Sequence, residues 1–109
     1  MKIDNMKAQM RKGVLEMCIL SLLSSETMYT SDIIEKLKNS QLVVVEGTLY
    51  PLLTRLKNAG LLEYYWMESS YGPPRKYFRI TEEGRNVLQG LRESWTEINE
   101  AVSLTTHKP

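Results

Sequence analysis

The sequence predicts a mainly α fold with a small β-hairpin, an α+β unit of four helices, and three observations carry that expectation. Apolar residues recur at helical spacing near both ends of the chain. Two aromatic or β-branched runs flank Ser69-Ser70-Tyr71-Gly72-Pro73-Pro74, the composition of a turn between strands. The length, 109 residues, allows one domain at roughly 100 to 200 residues per domain.

The elements follow in order. A first helix is predicted from about Asn5 to Ser24, a stretch without proline. Leu15, Cys18, Ile19, Leu22 and Leu23 form one apolar stripe. Ile3, Met6, Met10, Met17 and Leu20 form a second, interrupted at Gly13, and two apolar faces need two partners. Thr30-Ser31-Asp32 offers capping oxygens to a short second helix carrying Ile33, Ile34 and Leu37. Leu42-Val43-Val44-Val45 suffices for one short strand or an extended link. A third helix starts near Gly47 or Thr48, because Pro51 costs nothing in a first turn. Leu49, Leu52, Leu53, Leu56 and Ala59 share its inner arc, and Gly60 stands where a C-terminal cap residue belongs. Leu61 to Glu68 and Arg75 to Ile80 make the hairpin, with a stiff, exposed tip between them. Thr81 caps a last helix whose first turn bears Glu82 and Glu83, the favourable sign at the positive end of the dipole. Along that helix Leu88, Leu91, Trp95, Ile98 and Val102 recur at alternating three and four, the seam of a helix packing on another helix. The methionine stripe of the first helix is the candidate partner.

Helix, helix, strand, helix, strand, strand, helix is the order of a winged helix-turn-helix. Residues 1–81 form the winged unit, and residues 82–109 form a C-terminal dimerisation helix of the same compact body. With 42% apolar residues the chain builds a core, yet one this short buries only about two thirds of its unfolded surface. Pairing with a second copy through Met6, Met10, Leu88, Leu91, Trp95, Ile98 and Val102 covers the seam.

Composition excludes several function classes. A formal net charge of +1 argues against a polybasic or acidic tail, so any nucleic-acid role must come from local charge. One cysteine, Cys18, and one histidine, His107, complete neither an intrachain disulfide nor a Cys/His metal site. No cofactor is expected. The opening residues lack the apolar stretch of a secretory signal. The longest oily run, Val14 to Leu23, carries Glu16 and is about half the roughly twenty residues of a membrane span. A cytoplasmic protein without a membrane partner is expected. Enzyme readings fail for want of a Cys/His dyad, a glycine-rich phosphate loop or a nucleophile elbow.

The third helix is the candidate reader of duplex DNA. A helix in the major groove needs leucines on its inner arc and short polar or basic side chains outside, and residues 46–60 offer both. On the outer arc Arg55 suits a phosphate or a guanine edge, Thr48 and Thr54 suit phosphate, and Tyr50 suits either, with Pro51 beside them. Thr30 and Ser31, at the start of the second helix, join this DNA-binding set. Residues 71–79 add Arg75, Lys76 and Arg79 and no acid, whereas Glu82, Glu83, Glu93, Glu97 and Glu100 outnumber Arg85 and Arg92 on the last helix. Charge is therefore segregated, with a basic wing and an acidic final helix. Two prolines stiffen the wing and lower the ordering cost of docking on a phosphate backbone or minor groove. The bland alternative for both features is a solvated surface.

Three stretches carry a resemblance: residues 47–56 (GTLYPLLTRL), 59–62 (AGLL) and 72–84 (GPPRKYFRITEEG). In this order and spacing the chain resembles the PadR-like transcriptional regulators, specifically their short subfamily with a single C-terminal helix. The resemblance implies a homodimeric winged-helix repressor in the cytoplasm, relieved by a small molecule; because such a dimer is two-fold, its site in double-stranded DNA is expected to be an inverted-repeat operator. It also resembles a multidrug-binding branch in which a tryptophan of the last helix faces its dimer mate across a flat pore. Trp95 falls on that position. Glu16 and Met17 fall on pore-lining positions, where a glutamate favours cationic ligands or shrinks the cavity.

The residues themselves leave the effector open. Trp95 is bulky for knobs-into-holes packing, Gly13 leaves a gap opposite, and Met10 and Met17 offer soft, adaptable surface. With Asn99 these residues form a candidate site for a planar aromatic effector. The alternative is a closed dimer core filled by the indole. Trp66 is read as packing between wing and core, without function. The rival to a DNA-binding regulator is a winged-helix module that binds protein through the same surface.

Overall fold

The computed structural model describes residues 2–42 and 44–107. The apolar spacing of the first segment becomes α1, Ile3–Ser25. Its C-terminal half turns Leu15, Ile19, Leu20 and Leu23 into the core. Leu20, expected on the second stripe, is fully buried within its own chain, because the last turns of α1 are surrounded and keep no second free face.

A two-residue strand β1, Met28–Tyr29, follows, then α2, Thr30–Asn39, and α3, Glu46–Asn58. The short strand thus lies before α2. Leu42, Val44 and Val45 carry no strand, and Val43 lies outside the described residues. β-branched composition favours an extended chain, but a strand needs a partner edge. Met28 and Tyr29 have one, opposite Phe78 and Tyr77. Thr30 opens α2 instead of capping it, and the carboxylate of Asp32 accepts from the Tyr29 amide at 3.2 Å.

Both α2 and α3 end in the same way. After α3 the Leu61 amide donates to the Leu56 carbonyl and the Gly60 amide to Lys57, each at 3.0 Å, with Gly60 at φ +79°. This is the Schellman ending that favours glycine at the left-handed position. After α2 the Leu42 amide donates to Leu37 at 2.8 Å and Gln41 to Lys38 at 3.0 Å, but here the left-handed residue is Gln41, φ 70°.

Strands β2, Leu62–Ser69, and β3, Gly72–Ile80, form the wing, and β1 completes an antiparallel sheet of order β1-β3-β2. The expected two-stranded hairpin is therefore three-stranded. The turn is also tighter than expected, with Ser69 paired to Gly72 and Tyr71 fully exposed at the tip. Pro73 and Pro74 lie at the start of β3, where the register shifts between Met67 and Ser69, as residues without an N–H require.

The last helix, α4, runs Glu82–Thr106. Thr81 joins it to the end of α3: its hydroxyl donates to the Gly60 carbonyl at 2.7 Å and accepts from the Gly84 amide at 3.0 Å. A Cβ on Gly84 would collide with the Leu61 carbonyl oxygen and the Ile80 side chain, so glycine lets α4 seat directly on the wing root. Leu88 is 2% exposed inside the chain's own core. It has no surface to offer a partner, and the outward seam starts beyond it.

The core gathers Leu15, Ile19, Ile33, Leu49, Leu53, Phe78 and Leu88 at the middle of the molecule. The N-terminal half of α1 and the C-terminal half of α4 reach past it. Dimensions of 60 × 32 × 23 Å and a radius of gyration of 15.9 Å exceed the roughly 13 Å of a compact chain this long. Among the described residues no helix is long and apolar enough to cross a membrane.

Candidate nucleic-acid interface

The N-terminal turns of α2 and α3 meet the flank of the wing in a cleft of about 350 Å³. Thr30 and Ser31 come from α2, Tyr50 from α3, and Arg75 and Lys76 from β3. The structure thus brings five of the residues expected to bind DNA to one place. Thr54 lines the adjoining groove with Tyr50, Lys57, Asn58, Tyr64 and Lys76.

The outer arc of α3 divides into two flanks, because residues three and four apart share a helix face. Tyr50, Thr54 and Lys57 look toward the wing. Thr48 looks the other way, onto a groove shared with Ala8, Arg11 and Leu15 of α1. Arg55 also leans to α1, where its Nη1 lies 3.3 Å from the Glu16 carboxylate. The Arg55 side chain stays 67% exposed, so its other donors face water, and the pair itself is worth about 0 to 1 kcal/mol. Glu16, expected at an effector pore, is drawn to this ion pair instead. Pro51 is exposed on the same helix and lines neither the cleft nor the groove beside it.

Alternation along the wing builds two aromatic rows. Leu62, Tyr64 and Trp66 of β2 stand opposite Ile80, Phe78 and Lys76 of β3. Lys76 Nζ lies 4.2 Å from the Tyr64 ring centre and 5.4 Å from that of Trp66, within cation–π range. The other face carries Tyr29, Tyr77 and Tyr65. Arg75 lies 5.1 Å over Tyr29, and Arg79 lies 5.4 Å over Tyr65. Arg79 also donates to Glu63 at 2.6 Å, which neutralises part of the expected basic wing. The Tyr77 phenol is pushed up to about 12, first by its hydrogen bond with Tyr29, then by burial and nearby negative charge.

Sequence reasoning missed Trp66 and Glu46, both of which line the cleft. Trp66 is 62% exposed and is not packed against the core. The available signal was the period of two: Leu62 and Tyr64 reach the core edge, and the next residue on that face overshoots it.

A second cleft, of about 440 Å³ and mostly apolar, lies between α1 and α4. Met10, Gly13, Met17, Trp95 and Asn99 all line it, together with Val14 and Ser94. Ile3, Met6, Met10, Trp95, Ile98 and Val102 expose between 46% and 78% of their surface. Cys18 is half-buried, and burial pushes its thiol up, the opposite of what a reactive thiolate needs.

The chain has clear relatives. A sequence model of the "Transcriptional regulator PadR-like family" matches residues 19–90. A PadR-like transcription factor from Bacteroides fragilis is 59% identical and superposes with a TM-score of 0.79, over 94% of this chain and 99% of that one. A PadR family transcriptional regulator from Eggerthella lenta is 32% identical, with a TM-score of 0.89 over 98% and 94%. An uncharacterized protein of Lysinibacillus sphaericus is 32% identical over 96 residues, 85% of this chain and 88% of its own length. The family pattern runs from the core half of α1 through α3 and the wing into α4, and the fold matches over 94% and 98% of this chain in the two structures. The chain therefore belongs to the PadR-like transcriptional regulators, proteins that act on DNA and not as enzymes.

Proposed function

We propose that the protein is a homodimeric, sequence-specific repressor of transcription that binds an inverted-repeat operator and is released by a planar aromatic small molecule. One observation supports this above the others: Thr30, Ser31, Tyr50, Arg75 and Lys76 converge on one cleft from three separate elements. Hydroxyls and cations so gathered suit a phosphate backbone, while Tyr50 and Thr54 reach base edges. Arg55, held by Glu16, serves this reading as a flanking phosphate contact. Thr48 lies on the same flank, and Pro51 shapes the first turn of the reading helix.

The apolar cleft between α1 and α4 supports the regulatory half. Two copies joined through Met6, Met10, Leu91, Trp95, Ile98 and Val102 bring their clefts together, and a ligand stacked between the two Trp95 rings favours one spacing of the reading helices over another.

The experiment is selection of duplexes from a random-sequence library, followed by affinity measurement across salt concentrations. A DNA-binding regulator yields a two-fold site with half-sites about one helical turn apart. Arg75→Ala flattens the slope of log affinity against log salt by about one unit for each phosphate it no longer neutralises. A protein-binding module retains no duplex and shows no such slope.

A further inference from the structure

Trp66 is an unusual residue to leave in water, since its indole carries one of the largest apolar surfaces of any side chain. It is nevertheless 62% exposed. The sheet holds it in place: Tyr64 meets it edge to face, with ring centres 6.4 Å apart and planes at 86°. Lys76, its register partner across the strands, sits 5.4 Å over the ring. The remainder of the indole lines the cleft with Tyr50, Arg75 and Lys76. Lys57 adds charge on the same side, 5.6 Å from the Tyr64 ring centre. Glu46, in the first turn of α3, also lines the cleft, so the cationic side is the wing side, where Trp66 stands.

We propose that Trp66 contacts DNA directly, its ring packing on a deoxyribose and its Nε1–H donating to a phosphate oxygen beside the one held by Lys76. This deepens the DNA-binding reading and rests on it. The contact belongs to the flank of the wing and not to its tip. Its occupant is a sugar-phosphate backbone because the open indole is bordered by Lys76 and shares its cleft with Arg75, cations that demand an anion next to an apolar surface. The pre-set ring and ammonium lose little freedom on binding.

The test uses the full chain and a duplex selected from a random library by the wild-type protein. Incorporation of 5-fluorotryptophan gives two fluorine resonances, one for each tryptophan, and Trp66→Phe assigns them. The duplex shifts the Trp66 resonance, and Trp66→Ala weakens binding about tenfold while keeping most of the salt slope. Lys76→Ala instead lowers the slope by about one unit. An unmoved Trp66 resonance, with wild-type affinity in Trp66→Ala, overturns the contact while leaving DNA binding standing. A loss in Trp66→Ala that vanishes in the Lys76→Ala background reduces Trp66 to a holder of Lys76 and also overturns it. Failure of the wild-type chain to retain any duplex removes the DNA-binding reading itself.

Discussion

Gln41 shows how much a single backbone position decides. It occupies the left-handed region at φ 70°, the conformation that Gly60 adopts in the matching ending of α3. A residue with a Cβ is disfavoured there by about 1 to 2 kcal/mol, whereas glycine gives back part of the gain through greater freedom of the unfolded chain. Gln41→Gly is therefore expected to stabilise the fold by about 0.5 to 1 kcal/mol in urea unfolding. Equal or lower stability would mean that the Gln41 side chain offsets its own strain. The sequence marked Gly60 as a cap because glycine is the usual signal, and for the same reason it left Gln41 unmarked.

Among the elements, the wing is where the expectation and the structure differ most. A hairpin was legible from its aromatic strands and its Gly-Pro turn, but β1 is only two residues long and has no local pattern of its own. Tyr29 shows its consequence, with a ring centre 3.5 Å from that of Tyr77. A phenol whose folded pKa is raised from 10 to about 12 is kept neutral by the fold. Its contribution to stability is whole below pH 10 and is lost as pH rises toward 12. Unfolding midpoints should accordingly fall through that window, and Tyr77→Phe should flatten the fall. A variant with the same alkaline profile as wild type places the transition on other groups.

At the scale of the whole molecule, the two outer helices are unfinished. Ile98 is 52% exposed and Val102 51% on a helix whose early turns sit firmly in the core, and a chain of this size does not ordinarily leave such a stripe in water. The dimer proposed above would cover it with a second copy, through a self-complementary contact. Sedimentation is expected to show two chains at tens of micromolar, a concentration set by the weak end of stable association. Trp95→Ala should keep that dimer and lose the binding of planar aromatic compounds. Dissociation of this variant into monomers would make the indole core packing, with no effector site around it.

The helices, the inner leucines of α3, the Gly60 and Thr81 caps and the stretches shared with PadR-like regulators were legible in the chain itself, whereas Ala59, expected on that inner arc, is exposed just past the end of α3. Each depends on spacing within a few residues, and local backbone geometry fixes which side chains share a face. The tertiary structure decided matters that spacing does not contain. It placed the short strand at Met28–Tyr29 because β3 supplies the edge. It turned Leu88 inward and split the outer arc of α3 by setting Glu16 beside Arg55. It left Trp66 in the cleft because β2 runs past the end of the core. Each outcome depends on where a distant element lies, and no local pattern records the partner a residue meets across the fold.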